Sequence, residues 1–324
     1  MGADESINQG EPMAAQEKGA TLIVRDAGAL ALVQDGGRFG VRHLGVTQGG
    51  AVDWVSLGWA NWLLGNAVDA AGIEITLGGF VVEVQTSTTL ALAGGELGAT
   101  LDGEPVPPHT RFRVDAGQTL AFGQATSGLR AYLALPGGVA ATPFMGSTSS
   151  VIRECLGGLD GEGRALAVDD VIVAAGREPA GEARVIETPP RFTEETVDLE
   201  MVPGAQIAQF DGASVFATFN ERWEVDARAD RMGVRLIGQA LRNGAGGMIS
   251  EGIPLGAVQV PPDGQPIVLL NDRQTVGGYP RLGALTPLAC ARLGQCPPGT
   301  QLRLVPVSPH RTRRQMQAQF ARWR

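Results

Sequence analysis

The chain has 324 residues, 44% of them hydrophobic, with 46 glycines, 20 prolines and a formal net charge of −8. That acidity excludes general nucleic-acid binding, which needs a basic footprint. Lys18 is the only lysine, so the rest of the chain can form no Schiff base, complete no Walker A phosphate loop and carry no biotin of its own.

No apolar run approaches the ~20 residues of a membrane span. Residues 1–20 are polar and acidic and lack the apolar core of a signal peptide, so they read as a disordered tail, with cytoplasmic residence as the expectation. Cys155, Cys290 and Cys296 fit no metal spacing and suit a reducing compartment. The length suggests two domains.

The ordered chain is expected to begin with a strand at Thr21. A glycine-rich loop, Gly45 to Asp53, opens a helix predicted from Val52 to Leu64. Its apolar stripe is Val55, Trp59, Trp62 and Leu63, and Gly65 stands where a C-terminal cap belongs. Asp53, in the first turn, reads either as a cap on the positive end of the helix dipole or as a site carboxylate. From Gly72 to Ala174 short strands alternate with tight turns, as in a sandwich or barrel. Residues 21–177 form the first expected domain, 178–195 a Pro- and Gly-bearing linker, and 196–308 the second.

In the second half, Ile207 to Phe219 has helical spacing in part, with Asp211 as a candidate interior cap. Ala257 to Val260 and Pro266 to Leu270 read as strands of a hairpin, turning at Pro262-Asp263-Gly264. Polar groups crowd its two ends: Ser250 and Glu251 before it, Asn271, Asp272, Arg273, Gln274 and Thr275 after it, then Gly277 and Gly278. That is either a site scaffold or a hairpin with solvated ends. Ala284 to Leu293 is helix-compatible apart from Pro287. The basic tail, 309–324, places Met316, Phe320 and Trp323 on one helical face, for rest on its own domain or for a partner.

Of the three histidines, His43 alone adjoins glycine-rich loop material, and none has a metal-spaced partner. No metal site is expected. The acid/base candidates are carboxylates: Asp35, Asp53, Glu74, Glu251 and Asp272. Glu251 and Asp272 flank one hairpin and are expected either to meet at one barrel end or to pair with Arg231, Arg235, Arg273 or Arg281.

Four blocks together resemble the biotin-dependent carboxyltransferase family, also called allophanate hydrolase subunit 2, which includes the KipA-like 5-oxoprolinase C subunits. They are Val33 to Arg38 with His43-Leu44-Gly45; Gly49 to Asp53, running on to Asn61 and Gly65-Asn66; Asp230 to Leu236; and Ser250-Glu251-Gly252 through Tyr279-Pro280. Glu74 to Gly79 also matches, whereas Phe39 stands where the family is expected to have proline.

The resemblance spans about residues 21–307. It implies a mainly β chain of two cyclophilin-like β-barrel domains with a few short helices and a cleft between them. It implies catalytic roles for Asp272, Glu251 and Asp53. Substrate contacts would come from Arg231, Gln259, Gln274, Tyr279, Asn61 and His43, with Gly277 and Gly278 offering backbone donors to an oxyanion. The implied activity is ATP-dependent opening of 5-oxoproline to L-glutamate, in a complex whose other members are a KipI-like protein (the B subunit) and a LamB/YcsF-like protein (the A subunit). Two alternatives remain open: carboxyl transfer to urea or another amide from biotin on a separate carrier, and a non-catalytic regulator of a KipI-like kinase inhibitor.

Overall fold

In the computed structural model, residues 19–178, 183–244 and 248–324 are described. Most of the expected N-terminal tail (1–18) and part of the expected linker (179–182) lie outside them. The chain is mainly β. Two sheets enclose the core of the first half. One runs in the order Val171–Val173, Thr21–Ala27, Phe80–Val84, Thr119–Phe122, Ala99–Leu101, Glu104–Pro105. The other runs Leu30–Gln34, Gly72–Thr76, Ser127–Ala134, Thr88–Glu96, Thr110–Val114. Leu22, Val24, Ile73, Ile75, Phe80, Leu90 and Leu133 fill the space between them.

The helix α1 (Trp54–Leu64) lies on the outer face of the second sheet, where Leu57, Trp59 and Leu63 meet Ala91, Ala93 and Tyr132. That sheet is therefore covered on both faces, which explains why Thr88–Glu96 is buried almost throughout rather than at alternate positions. α1 begins at Trp54 rather than Val52 because Asp53 caps it, its carboxylate accepting from Ser56 N at 3.0 Å. Buried residues occur all round α1, not on one stripe.

The second half is a closed seven-stranded barrel: Thr196–Pro203, Arg281–Leu285, Ala257–Gln259, Ile267–Leu269, Gly233–Ile237, Trp223–Val225 and Gln301–Pro306. Parallel pairing of the first and last strands closes it. The expected hairpin is present, with Val258 opposite Val268 and Gly264 turning at φ +76°. Trp223, Leu199, Leu236, Val258 and Val268 form the core, and Val52 of the first half joins it.

The expected interior cap is present: Asp211 caps α2 (Gly212–Asn220), its carboxylate accepting from Ser214 N at 2.7 Å. Two elements depart from the sequence reading. The 284–293 stretch is a strand and then α3 (Pro287–Leu293), because Thr286 caps and Pro287 takes the first helical position, where its missing N–H is harmless. The C-terminal helix, α4 (Pro309–Ala321), does not rest on its own half alone. It carries Phe320 and Trp323 across to α1, with ring centroids 5.8 and 5.7 Å from Trp54.

Gly58 permits this contact: a Cβ there would fall 2.5 Å from the Trp323 ring. The connecting segment is pinned nearby, Arg184 lying over Trp62 and Arg322 donating to the Thr188 carbonyl. Among the described residues no helix is long and apolar enough to cross a membrane.

Candidate functional site

The two halves meet where the Gly49–Asp53 loop touches the far end of the hairpin. Gly49 N donates to Asn271 O, and Asn271 Nδ2 donates back to Gly49 O and Ala51 O, both at 3.1 Å. Beside this lattice of amides lies a buried charge network. Arg231 donates to Glu74 at 2.5 Å, bidentately to Asp272 at 2.9 and 3.0 Å, and to Gly50 O at 2.8 Å. Arg130 lies 3.6 Å from the same Glu74 oxygen. The other oxygen of Glu74 accepts from Val52 N and from the Tyr132 hydroxyl.

Two guanidinium and two carboxylate groups thus neutralise one another away from water. Burial alone would push the Glu74 carboxyl up, but Arg231 and Arg130 outweigh it and hold it below the ordinary range. For Arg231, burial is outweighed by Asp272 and Glu74, and the guanidinium stays charged.

Several expected site residues have protein partners in the fold. Arg231 has its donors directed at protein acceptors, Glu74, Asp272 and Gly50 O. Asp272 is its bidentate partner. Asp53 is fully buried and accepts from Ser56 N, Ser56 Oγ and Gln295 Nε2, the last at 2.8 Å from the second half. Burial pushes its carboxyl up against those hydrogen bonds. Asn61 is buried too, tying the end of α1 to Ala70 O and Asn66. Glu251 does not meet Asp272: it binds Arg281 at 2.6 Å and Gln206, on a separate two-stranded ribbon opposite Gly277.

A different set of groups faces open space. A groove of about 550 Å3 runs between the halves, lined by Arg42, His43 and Gly45 from the first and by Gly252, Ile253, Pro254, Thr275 and Val276 from the second. Gly45, at φ +81°, closes the 3₁₀ turn that presents Arg42 and His43. Arg42 crosses the seam, donating to Ile253 O at 3.0 Å and Gln274 O at 2.9 Å. Arg273 shares the Ile253 carbonyl, at 3.2 Å.

Arg273 has no carboxylate partner among the described residues, and burial, with Arg42 beside it, pushes its pKa down to about 9. Gln259 is buried behind the groove with an unbonded Nε2. A Cβ on Gly277 would fall 3.0 Å from that nitrogen and 2.5 Å from Ile253, so glycine here makes room for both side chains. Tyr279 is exposed, and Gly278 runs close to Met248 O.

The sequence reading did not single out Arg42, Tyr132 or Gln295. Arg42 was accessible in principle, as the neighbour of His43 in a matching block. Tyr132 and Gln295 carry no local signal, since their partners come from elsewhere in the fold. Among the described residues no group of three His, Cys, Asp or Glu could hold a metal ion.

The site blocks lie within residues 44–306 or just before them, and that span matches the family described as carboxyltransferase domain, subdomain A and B. The chain belongs to this family. It is 37% identical over 277 residues to the 5-oxoprolinase C subunit of Escherichia coli, covering 84% of this chain and 87% of that one. The 5-oxoprolinase C subunit of Haemophilus influenzae is 33% identical over 274 residues, again 84% of this chain and 86% of that one. A solved urea amidolyase of K. lactis superposes with a TM-score of 0.88 at 27% identity, over 95% of this chain but only 20% of that one. The carboxyltransferase family therefore includes both subunit-sized chains and regions of much longer ones.

Proposed function

We propose that this chain is the C subunit of an ATP-dependent 5-oxoprolinase. It acts with a KipI-like B subunit, together with a LamB/YcsF-like A subunit, to hydrolyse 5-oxo-L-proline to L-glutamate. One observation carries this reading: similarity to the E. coli C subunit extends over 84% of this chain and 87% of the relative.

In this reading the substrate lies in the groove between the halves. Its carboxylate faces Arg42, where an anion offsets the two close guanidinium groups of Arg42 and Arg273. Water adds to the lactam carbonyl, the ring C–N bond breaks, and the departing nitrogen takes a proton. His43 is the groove side chain able to carry that proton. The Gln259 Nε2, a buried donor without an acceptor, suits the oxyanion that forms on the carbonyl oxygen. ATP, consumed by the complex, drives the opening of a stable lactam. Asp272, Arg231 and Asp53 act as positioning residues that hold the two walls together.

The test is reconstitution of this chain with A and B subunits, ATP and 5-oxoproline, reading glutamate. A second reading, carboxyl transfer, is favoured by the TM-score of 0.88 to the K. lactis urea amidolyase. It predicts instead turnover of urea or another amide with a separately supplied carboxybiotin carrier and no glutamate. A regulator would bind the B subunit with neither turnover.

A further inference from the structure

A second cavity, of about 420 Å3, lies in the seam and is roofed by α4. The roof lies beyond the 44–306 span of the family match. The cavity walls are apolar: Trp54 from α1, Leu255 from the second half, and Met316, Phe320 and Trp323 from the tail. Trp54, Phe320 and Trp323 contact one another at 5.7 to 5.9 Å between centroids and form one continuous aromatic wall.

The remaining lining includes two buried amides, Gln48 and Asn271, 8% and 6% exposed. Their orientations are fixed by their partners. Asn271 must aim its NH2 at the Gly49 and Ala51 carbonyls, because both are acceptors. Gln48 must aim Oε1 at Arg273, because a guanidinium only donates. The opposite ends, Asn271 Oδ1 and Gln48 Nε2, make no hydrogen bond among the described residues. The cavity thus offers one acceptor and one donor within apolar walls. Its remaining ionisable lining group is the Asp69 carboxylate.

We propose that this cavity is a binding site for a small uncharged aromatic carboxamide. The ring lies against the Trp54–Phe320 wall, the amide N–H donates to Asn271 Oδ1, and the amide oxygen accepts from Gln48 Nε2. The volume falls within the usual range of small-molecule sites, roughly 300–1,000 Å3. A carboxylate in the amide's place brings no proton to Asn271 Oδ1.

Isothermal titration calorimetry of the full chain with phenylacetamide tests this without reference to turnover. Saturable binding is expected, with phenylacetate about tenfold weaker, the effect of one unmet buried hydrogen bond. Met316→Trp fills the cavity from the roof and is expected to abolish phenylacetamide binding while the melting temperature holds. Absence of saturable binding, equal binding of phenylacetate, or undiminished binding by folded Met316→Trp each overturns the proposal. Should Met316→Trp not fold, Leu255→Phe fills the cavity from the other side, and the amide-against-carboxylate comparison needs no variant.

Discussion

Arg231 and Glu74, 157 positions apart in sequence, meet across the seam at 2.5 Å with side chains 8% and 0% exposed. Their union ties the barrel of the second half to a central strand of the first. Asp272 and Arg130 complete the charge balance. Removing Arg231 leaves two buried carboxylates facing each other with Arg130 alone to offset them. Arg231→Met is expected to lower stability by about 3–5 kcal/mol, the usual consequence of breaking a buried pair from one side. Denaturant unfolding measures it. Adding Glu74→Gln to Arg231→Met should recover part of the loss, and a strictly additive double variant would contradict the coupling.

The same network sets a pH dependence. Glu74 is held below its ordinary value of 4.5 in the fold. Its stabilising contribution is therefore complete above that value and is lost as pH falls through the lower folded value. Glu74→Gln should show lower stability at neutral pH and a flatter acid limb than wild type in melts taken from pH 7 downward. Parallel acid limbs would remove Glu74 from the linkage.

The tail contact rests on a missing methyl group. Gly58 sits mid-helix, where glycine is weaker than alanine by roughly 0.5–1 kcal/mol, yet a Cβ there would fall 2.5 Å from Trp323. Gly58→Ala should therefore destabilise wild type but stabilise a chain already carrying Trp323→Ala. Trp323→Ala alone is expected to lose about 2–3 kcal/mol, below the fully buried tryptophan range because the residue is only partly buried. The sign reversal of Gly58→Ala between the two backgrounds, read from melting temperatures, is the check.

Local chemistry in the sequence made much of this legible. The Pro262-Asp263-Gly264 turn marked the hairpin, Gly65 the end of α1, and the alternation of short strands with glycine turns the mainly β architecture. Asp53 also read correctly as a cap. What stayed hidden was long-range. The partner of Arg231 could not be told from spacing, because Glu74 lies in another sheet. Asp272 and Glu251 flank one hairpin in sequence, yet strand twist and the Glu251–Gly252 ribbon carry them to different arginines. The apolar stripe of α4 was visible, but its destination on α1 depends on Gly58, whose role appears only once a tryptophan lies against it. Arg42 was overshadowed by its neighbour His43, the more familiar catalytic residue type.

Thiol reactivity offers an independent check on burial. Cys155 is exposed, while burial pushes the Cys290 and Cys296 thiols up to about 12. A thiol-disulfide reagent should modify Cys155 rapidly in the folded chain and the other two only on unfolding. Rapid native modification of Cys290 would place the α3 packing in error.

Groove and network make different kinetic predictions. Arg42→Leu should raise KM for 5-oxoproline by about tenfold or more, through loss of a charge-assisted contact. His43→Gln should lower kcat with KM little changed. Asp272→Asn should act through stability rather than through KM.

The most direct measurement is glutamate release by purified A and B subunits with ATP and 5-oxoproline, with and without this chain. The account predicts that glutamate forms at a rate that depends on the added chain, and that the chain carrying Arg42→Leu restores it only at raised 5-oxoproline. Glutamate release that is the same in the presence and absence of this chain would contradict it.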